Sequence, residues 1–234
     1  MPQTSDSTQN LHLEQNAGDQ RHASDRALAK APPKNWFRGF IQGKTRAVLH
    51  WIFAASLIFS ARELPHWAGI SLCLAGAALR VWASGYLRKD SRLAVGGPYQ
   101  RMRNPLYLGT YLMAIGSALA VKNLWLFAGA SVLFAVLYHY IILDEEVKLQ
   151  AHFGRPFELW CKHVPRFFPR LLPVGLAAGR TQLLADLREI NPDPSHRAYS
   201  WRLAWQNKAY EALASFLGLI GGIALIAWIR SSFL

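Results

Sequence analysis

The sequence predicts an all-α fold, a polytopic membrane helix bundle of about five transmembrane helices. Three observations point to it. The 234-residue chain contains five uncharged stretches, at 47–61, 64–79, 104–121, 123–143 and 212–229. The last three run for 18, 21 and 18 residues, close to the roughly 20 needed to cross a hydrocarbon core. The first two are shorter, but Arg46, Arg62 and Arg80 at their ends have long stems that can carry charge to the interface. A soluble bundle with five such runs in so short a chain would lack the polar surface to cover them.

Taken in order, residues 1–35 are rich in Gln, Ser, Asp and Asn without an apolar period, and read as a disordered cytoplasmic tail. A membrane domain is expected over 36–175. Trp36, Phe37, Phe40 and Ile41, interleaved with basic residues, suggest an interfacial helix leading into the first span. Pro65 breaks the chain between the first two spans, and Lys122-Asn123 turns it between the third and fourth. Residues 176–210 read as an amphipathic cytoplasmic or interfacial segment. There, Leu183, Leu184, Leu187 and Ile190 share a helical face opposite Arg180, Asp186, Arg188 and Glu189. Trp201 and Trp205 are expected as interfacial anchors for a C-terminal transmembrane helix over 211–234. Gly218 and Gly222 in that helix form a GxxxG face, suited to packing on the bundle or on a second copy in a homo-oligomer.

Charge orients the bundle. The formal net charge is +12, and since 1–35 holds four basic and four acidic residues, the excess lies in the rest. Lys44 and Arg46 precede the first span, Arg88, Lys89, Arg92, Arg101 and Arg103 follow the second, and Lys148, Arg155, Lys162 and Arg166 follow the fourth. The intervening connections are almost uncharged. The positive-inside bias places the N-terminus and the basic loops in the cytoplasm, and a bacterial inner membrane suits this topology. Because basic residues flank spans and form no continuous stripe, no nucleic-acid partner is expected. Membrane lipids are the expected surroundings.

No P-loop, GxGxxG, GxSxG or HExxH signature occurs, the histidines lack i+4 partners, and Cys73 and Cys161 are far apart, so no metal site is expected. What remains is the loop Gly96-Gly97-Pro98-Tyr99-Gln100-Arg101-Met102-Arg103-Asn104-Pro105 and the pair Glu145-Glu146. The prolines stiffen the loop, the glycines admit close backbone approach, Arg103 can clamp a carboxylate, and Tyr99 and Tyr107 offer aromatic faces. A basic loop that binds lipid headgroups is the plainer alternative. Glu145 and Glu146 are expected at the cytoplasmic end of the fourth helix, on the unfavourable side of its macrodipole, where something must compensate them. Together, these groups suit a ligand with a carboxylate, an ammonium, ribose hydroxyls, a base and a cationic centre; S-adenosylmethionine carries all of them.

The stretch Gly97-Pro98-Tyr99 through Arg103-Asn104-Pro105-Leu106-Tyr107, followed by Glu145, Glu146, Leu149, Phe153, Gly154 and Phe157 and closed by Val164-Pro165 and Pro169, resembles the isoprenylcysteine carboxyl methyltransferase and phospholipid N-methyltransferase superfamily. The likeness covers about 70–170. It implies a cytoplasmic S-adenosylmethionine pocket beneath the bundle, an acceptor entering from the bilayer, and cofactor binding by Gly97, Pro98, Tyr99, Arg103, Asn104, Pro105, Tyr107, Glu145 and Glu146. Arg80 and Arg166 are candidate catalytic residues that orient the acceptor or the cofactor carboxylate; Arg80 can equally snorkel. Asn104 stands where the eukaryotic carboxyl methyltransferases have His, and Phe157 and Trp160 stand where they have tyrosines, so no particular acceptor is singled out. The expected activity is methyl transfer to a lipophilic acceptor, an isoprenoid carboxylate or lipid amine. An NADPH-dependent membrane reductase and a non-enzymatic scaffold or transporter are the alternatives.

Overall fold

A computed structural model describes residues 44–88, 92–169 and 197–233, with 185, 188 and 190. The readings of the 1–35 tail, the helix at 36–41 and most of the 183–190 face lie outside the described residues. Every element described is helical: α1 (Lys44–Ser60), α2 (Trp67–Ser84), a 3-10 turn (Gly97–Gln100), α3 (Pro105–Ala120), α4 (Leu124–Phe153), α5 (Arg155–His163), α6 (Trp201–Gln206) and α7 (Ala209–Phe233).

By length and composition α2, α4 and α7 can cross a membrane, whereas the apolar part of α1 (Val48–Ser60) and α3 are shorter. At 1.5 Å per residue the 16 residues of α3 rise about 24 Å, several ångströms short of the core thickness. The exterior is what lipid requires. Trp125 is 87% exposed and Trp51 76%, while the interior is lined by Ala77, Cys73, Ala118 and Ser117 at 0%. This is an integral membrane helix bundle.

Helices α2 and α3 are joined backbone to backbone. A Cβ on Gly76 would lie 2.5 Å from the Gly109 carbonyl oxygen, and one on Gly116 would lie 2.8 Å from Cys73 N. Gly69 and Gly76 on α2, and Gly109 and Gly116 on α3, are each seven apart and pair antiparallel, two helical turns between contacts. The GxxxG face of α7 is not used this way: Gly218, Gly221 and Gly222 have open space where a Cβ would go. That helix packs chiefly along α2 by other residues, so Gly218 and Gly222 do not pack on this bundle.

At one end the hairpins are stapled. His66 N donates to Ala120 O (2.9 Å), Asn123 Nδ2 to Ser60 Oγ (3.0 Å), and Lys122 pairs with Glu63 (2.6 Å). Arg230 of α7 donates to the carbonyls of Phe59 (3.0 Å) and Ala61 (2.8 Å), which α1 leaves without helical partners. Asn123 caps α4 through Leu126 N (3.0 Å).

The opposite end carries the basic loops. There the structure corrects one expectation: Glu145 and Glu146 do not end the fourth helix. That helix runs 30 residues to Phe153, about 45 Å, and outreaches a bilayer core. The Glu pair lies two turns before its end, beyond reach of the terminal dipole. A buried cluster of Ala83, Leu93, Val95, Tyr99, Phe157, Trp160 and Val164 then joins the end of α2, the loop and α5.

Candidate functional site

The Gly96–Pro105 loop is held by hydrogen bonds with the chain after α4. Trp160 Nε1 donates to Tyr99 O (3.1 Å), Arg103 N to Pro165 O (2.8 Å), and Asn104 Nδ2 to Arg166 O (2.8 Å). Pro105 starts α3 at a position where the missing N–H costs nothing. Gly97 has φ +53°, a conformation that favours glycine. The space beside Gly96 and Gly97 is not open to a ligand, however: a Cβ would meet the Tyr86 ring at 2.6 and 2.3 Å. The glycines make room for Tyr86, and this replaces the reading of them as a ligand approach. Pro98 is buried behind them.

Glu146 is consumed by two arginines. Its Oε1 accepts from Arg103 Nη1 (2.8 Å) and Arg166 Nε (3.0 Å), and its Oε2 from Arg166 Nη2 (2.8 Å). The fork-like Arg166 contact is the strong form of this bond, and Glu146 raises the guanidinium pKa of Arg166 further. Arg103 Nη1 also donates to Cys161 Sγ (3.0 Å). Burial pushes the Cys161 thiol above its ordinary range, against the pull of Arg103. Glu145 has a different partner, the Tyr107 hydroxyl, which donates to its Oε2 (2.7 Å).

Beside this knot opens a cleft of about 540 Å³, within the roughly 300–1,000 Å³ of small-molecule sites. Of the residues singled out from the sequence, Tyr99, Arg103, Asn104, Pro105, Tyr107 and Glu145 line it; Gly97, Pro98, Glu146, Arg80 and Arg166 do not. Arg80 instead turns onto α3, donating to Thr110 Oγ1 and more distantly to Leu106 O (3.5 Å). Sequence reasoning missed Arg88, Arg92, Lys148 and His152 as cleft residues, and Trp160 as an aromatic wall. The spacing Glu145, Lys148, Leu149, His152 was a signal for the α4 side, because i, i+3, i+4 and i+7 share a helix face; it required knowing that the helix continues. Nε of Arg88 and Nε of Arg103 are buried and find no hydrogen-bond partner among the described residues. Tyr99 is buried too, and burial first, then the charge of Glu145, raises its phenol pKa far above the usual tyrosine range. It stays a neutral donor.

Residues 64–156 match the phospholipid methyltransferase family. The matching segment holds α2, the loop, α3 and all of α4, hence most of the cleft, and bears out the resemblance read from the motifs. The chain is also 30% identical over 123 residues to the nickel-cobalt-cadmium resistance protein NccN of Alcaligenes xylosoxydans xylosoxydans, covering 52% of this chain and 53% of that protein. It is 30% identical over 141 residues to the cobalt-zinc-cadmium resistance protein CzcN of Cupriavidus metallidurans, covering 55% and 63%. The chain thus spans between half and two thirds of the length of these curated relatives. No solved structure matches. Among the described residues, no group of three or more His, Cys, Asp or Glu side chains could hold a metal ion.

Proposed function

We propose that this protein is a membrane methyltransferase that moves a methyl group from S-adenosylmethionine to a lipophilic acceptor, an isoprenoid carboxylate or lipid amine. Its N-terminus and cleft would face the cytoplasm of a bacterium, with the cleft at the inner leaflet. One observation carries the reading: within the family-matching segment, a single cleft presents two arginines whose buried Nε atoms have no partner among the described residues, one carboxylate and several aromatic faces. These residues fit the cofactor. Arg88 and Arg103 would take its carboxylate, Glu145 its ribose hydroxyls or ammonium, and Tyr99, Tyr107 and Trp160 would flank its base and cationic centre. Tyr107 holds one Glu145 oxygen and leaves the other for the ligand.

When bound, the cofactor supplies a methyl already activated by its sulfonium. The chain's own residues then need only position the reactants and exclude water, which is the entropic share of catalysis. A carboxylate acceptor requires no base; an amine must lose a proton first, to a cleft carboxylate or to water. Arg80, on the α2–α3 face and outside the cleft, would orient an acceptor headgroup. The relatives' names make tolerance of cobalt and cadmium the phenotype in which to look for a cellular effect.

A second reading draws on charge. Arg88, Arg92, Arg103 and Lys148 surround one lining carboxylate, an excess that also suits the phosphates of NADPH and thus a reductase. Thermal unfolding of the detergent-solubilised protein separates the two. Stabilisation by S-adenosylhomocysteine, with transfer of labelled methyl into a membrane extract, is expected. A shift with NADPH alone, and no labelled product, would overturn the methyltransferase reading.

A further inference from the structure

The end of α2 is closed only in part by the residues that follow it, Tyr86 N donating to Ala83 O (3.1 Å). The last carbonyls of a helix need partners, and the Gly85 N–H bonds back to Ala83 O as well, so neither of these local donors reaches Ser84 O. The missing partners arrive from more than a hundred residues away. Asn207 Nδ2 donates to Ser84 O (2.9 Å) and to Leu87 O (2.6 Å), the amide spending its two donors on two orphan carbonyls. Ser200 N donates to Gly85 O (3.1 Å). The Tyr199 ring sits where a Gly85 Cβ would stand, 2.1 Å from that position, and packs edge-on to Tyr86 at 5.6 Å between centroids. Arg197 O lies against Gly96 in the same way.

Of the residues held by these bonds Leu87 lines the cleft, and Arg88 follows it directly. Arg88 lines it too, and brings one of its two buried Nε atoms without a partner among the described residues. The holding residues lie outside the family-matching segment, which stops at 156. We infer that the segment 197–207 is a clamp for the cleft wall, with Asn207 as a positioning residue that sets Leu87 and Arg88 for ligand binding without touching the ligand. Its consequence for binding rests on the proposed cofactor site; its mechanical part does not.

Amide hydrogen exchange and S-adenosylhomocysteine affinity, measured on the full chain in detergent, test the two parts separately. Asn207→Asp keeps the shape but replaces the donating amide with acceptors, and Gly85→Ala expels Tyr199 from the opposite side. Both variants are expected to exchange about tenfold faster at 85–88 and 92–95 with α3 unchanged, Asn207→Asp because it loses two hydrogen bonds and Gly85→Ala because it displaces the Tyr199 ring. Affinity for S-adenosylhomocysteine should fall several-fold, and Asn207→Gln, which keeps both donors, should recover part of it. Unchanged exchange at 85–88 in both variants would overturn the clamp. So would equal loss of protection throughout α3, which would make the segment general fold support. If the unaltered protein binds the ligand and the loosened variants bind it equally well, Asn207 positions nothing. If the unaltered protein does not bind it at all, the proposed function fails, and the clamp stands or falls on exchange alone.

Discussion

Glu146 accepts three hydrogen bonds from two guanidiniums, whereas its neighbour Glu145 accepts one from a phenol and lines the cleft. Their substitutions should therefore separate. Glu146→Ala strands two arginines, one of them with only 14% of its side chain exposed. The cost should be on the order of 2–4 kcal/mol, below the upper figure for fully buried pairs because Arg166 is 44% exposed. A lowered midpoint of thermal unfolding checks it. Glu145→Ala should leave that midpoint within a degree or two and weaken S-adenosylhomocysteine binding about tenfold or more, the worth of a charged hydrogen bond. Equal destabilisation by both would contradict the division. Cys161 adds a pH signature. The folded chain holds its thiol proton more tightly than the unfolded chain does, so this contribution to stability is complete below the ordinary thiol range, near about 8.5, and is lost as pH rises through the raised value. Alkylation of Cys161 should be slow at neutral pH and accelerate only in alkaline solution; Glu146→Ala, which frees Arg103 to stabilise the thiolate, should advance that onset to lower pH.

At the scale of elements, the α2–α3 glycine seam and the length of α4 set the site. The seam places the two helices that lead into and out of the basic loop in backbone contact, so the loop is anchored at both ends. Gly76→Val would drive a side chain into Gly109 and should cost about 1–3 kcal/mol or prevent folding. Gly218→Val, facing open space, should be tolerated in the monomer; the yield of folded protein compares them. Helix α4 projects its last turns past the spans, and only that extension brings Glu145, Lys148 and His152 beside Tyr99 and Arg103. Both features have traces in the sequence. The seven-residue spacing of Gly69 and Gly76 repeats at Gly109 and Gly116, but within apolar runs any small residue reads as filler until its partner helix is known.

For the molecule as a whole, the staples at the Lys122 end and the clamp at the Gly85 end tie the bundle at both extremities, with α7 reaching both. The proposed topology predicts opposite sidedness for these ends. In intact cells, a membrane-impermeant thiol reagent should label Lys122→Cys but reach Arg101→Cys only after permeabilisation, in a background lacking Cys73 and Cys161. The reverse pattern would overturn the cytoplasmic placement of the cleft.

The sequence by itself determined the membrane bundle, the turns at Pro65 and Lys122-Asn123, and the association of the loop with the Glu pair. Hydropathy, helix breakers and motif order are local properties of the chain, so they can be read along it. Only the tertiary structure decided that Glu146 is spent on Arg103 and Arg166 while Glu145 lines the cleft, since adjacent helical residues differ only in the direction they face. It also decided that Gly96 and Gly97 yield to Tyr86, that Arg80 stays outside the cleft, and that Asn207 closes α2. Each of these depends on which distant group occupies a particular few ångströms of space, and no periodicity in the chain encodes that.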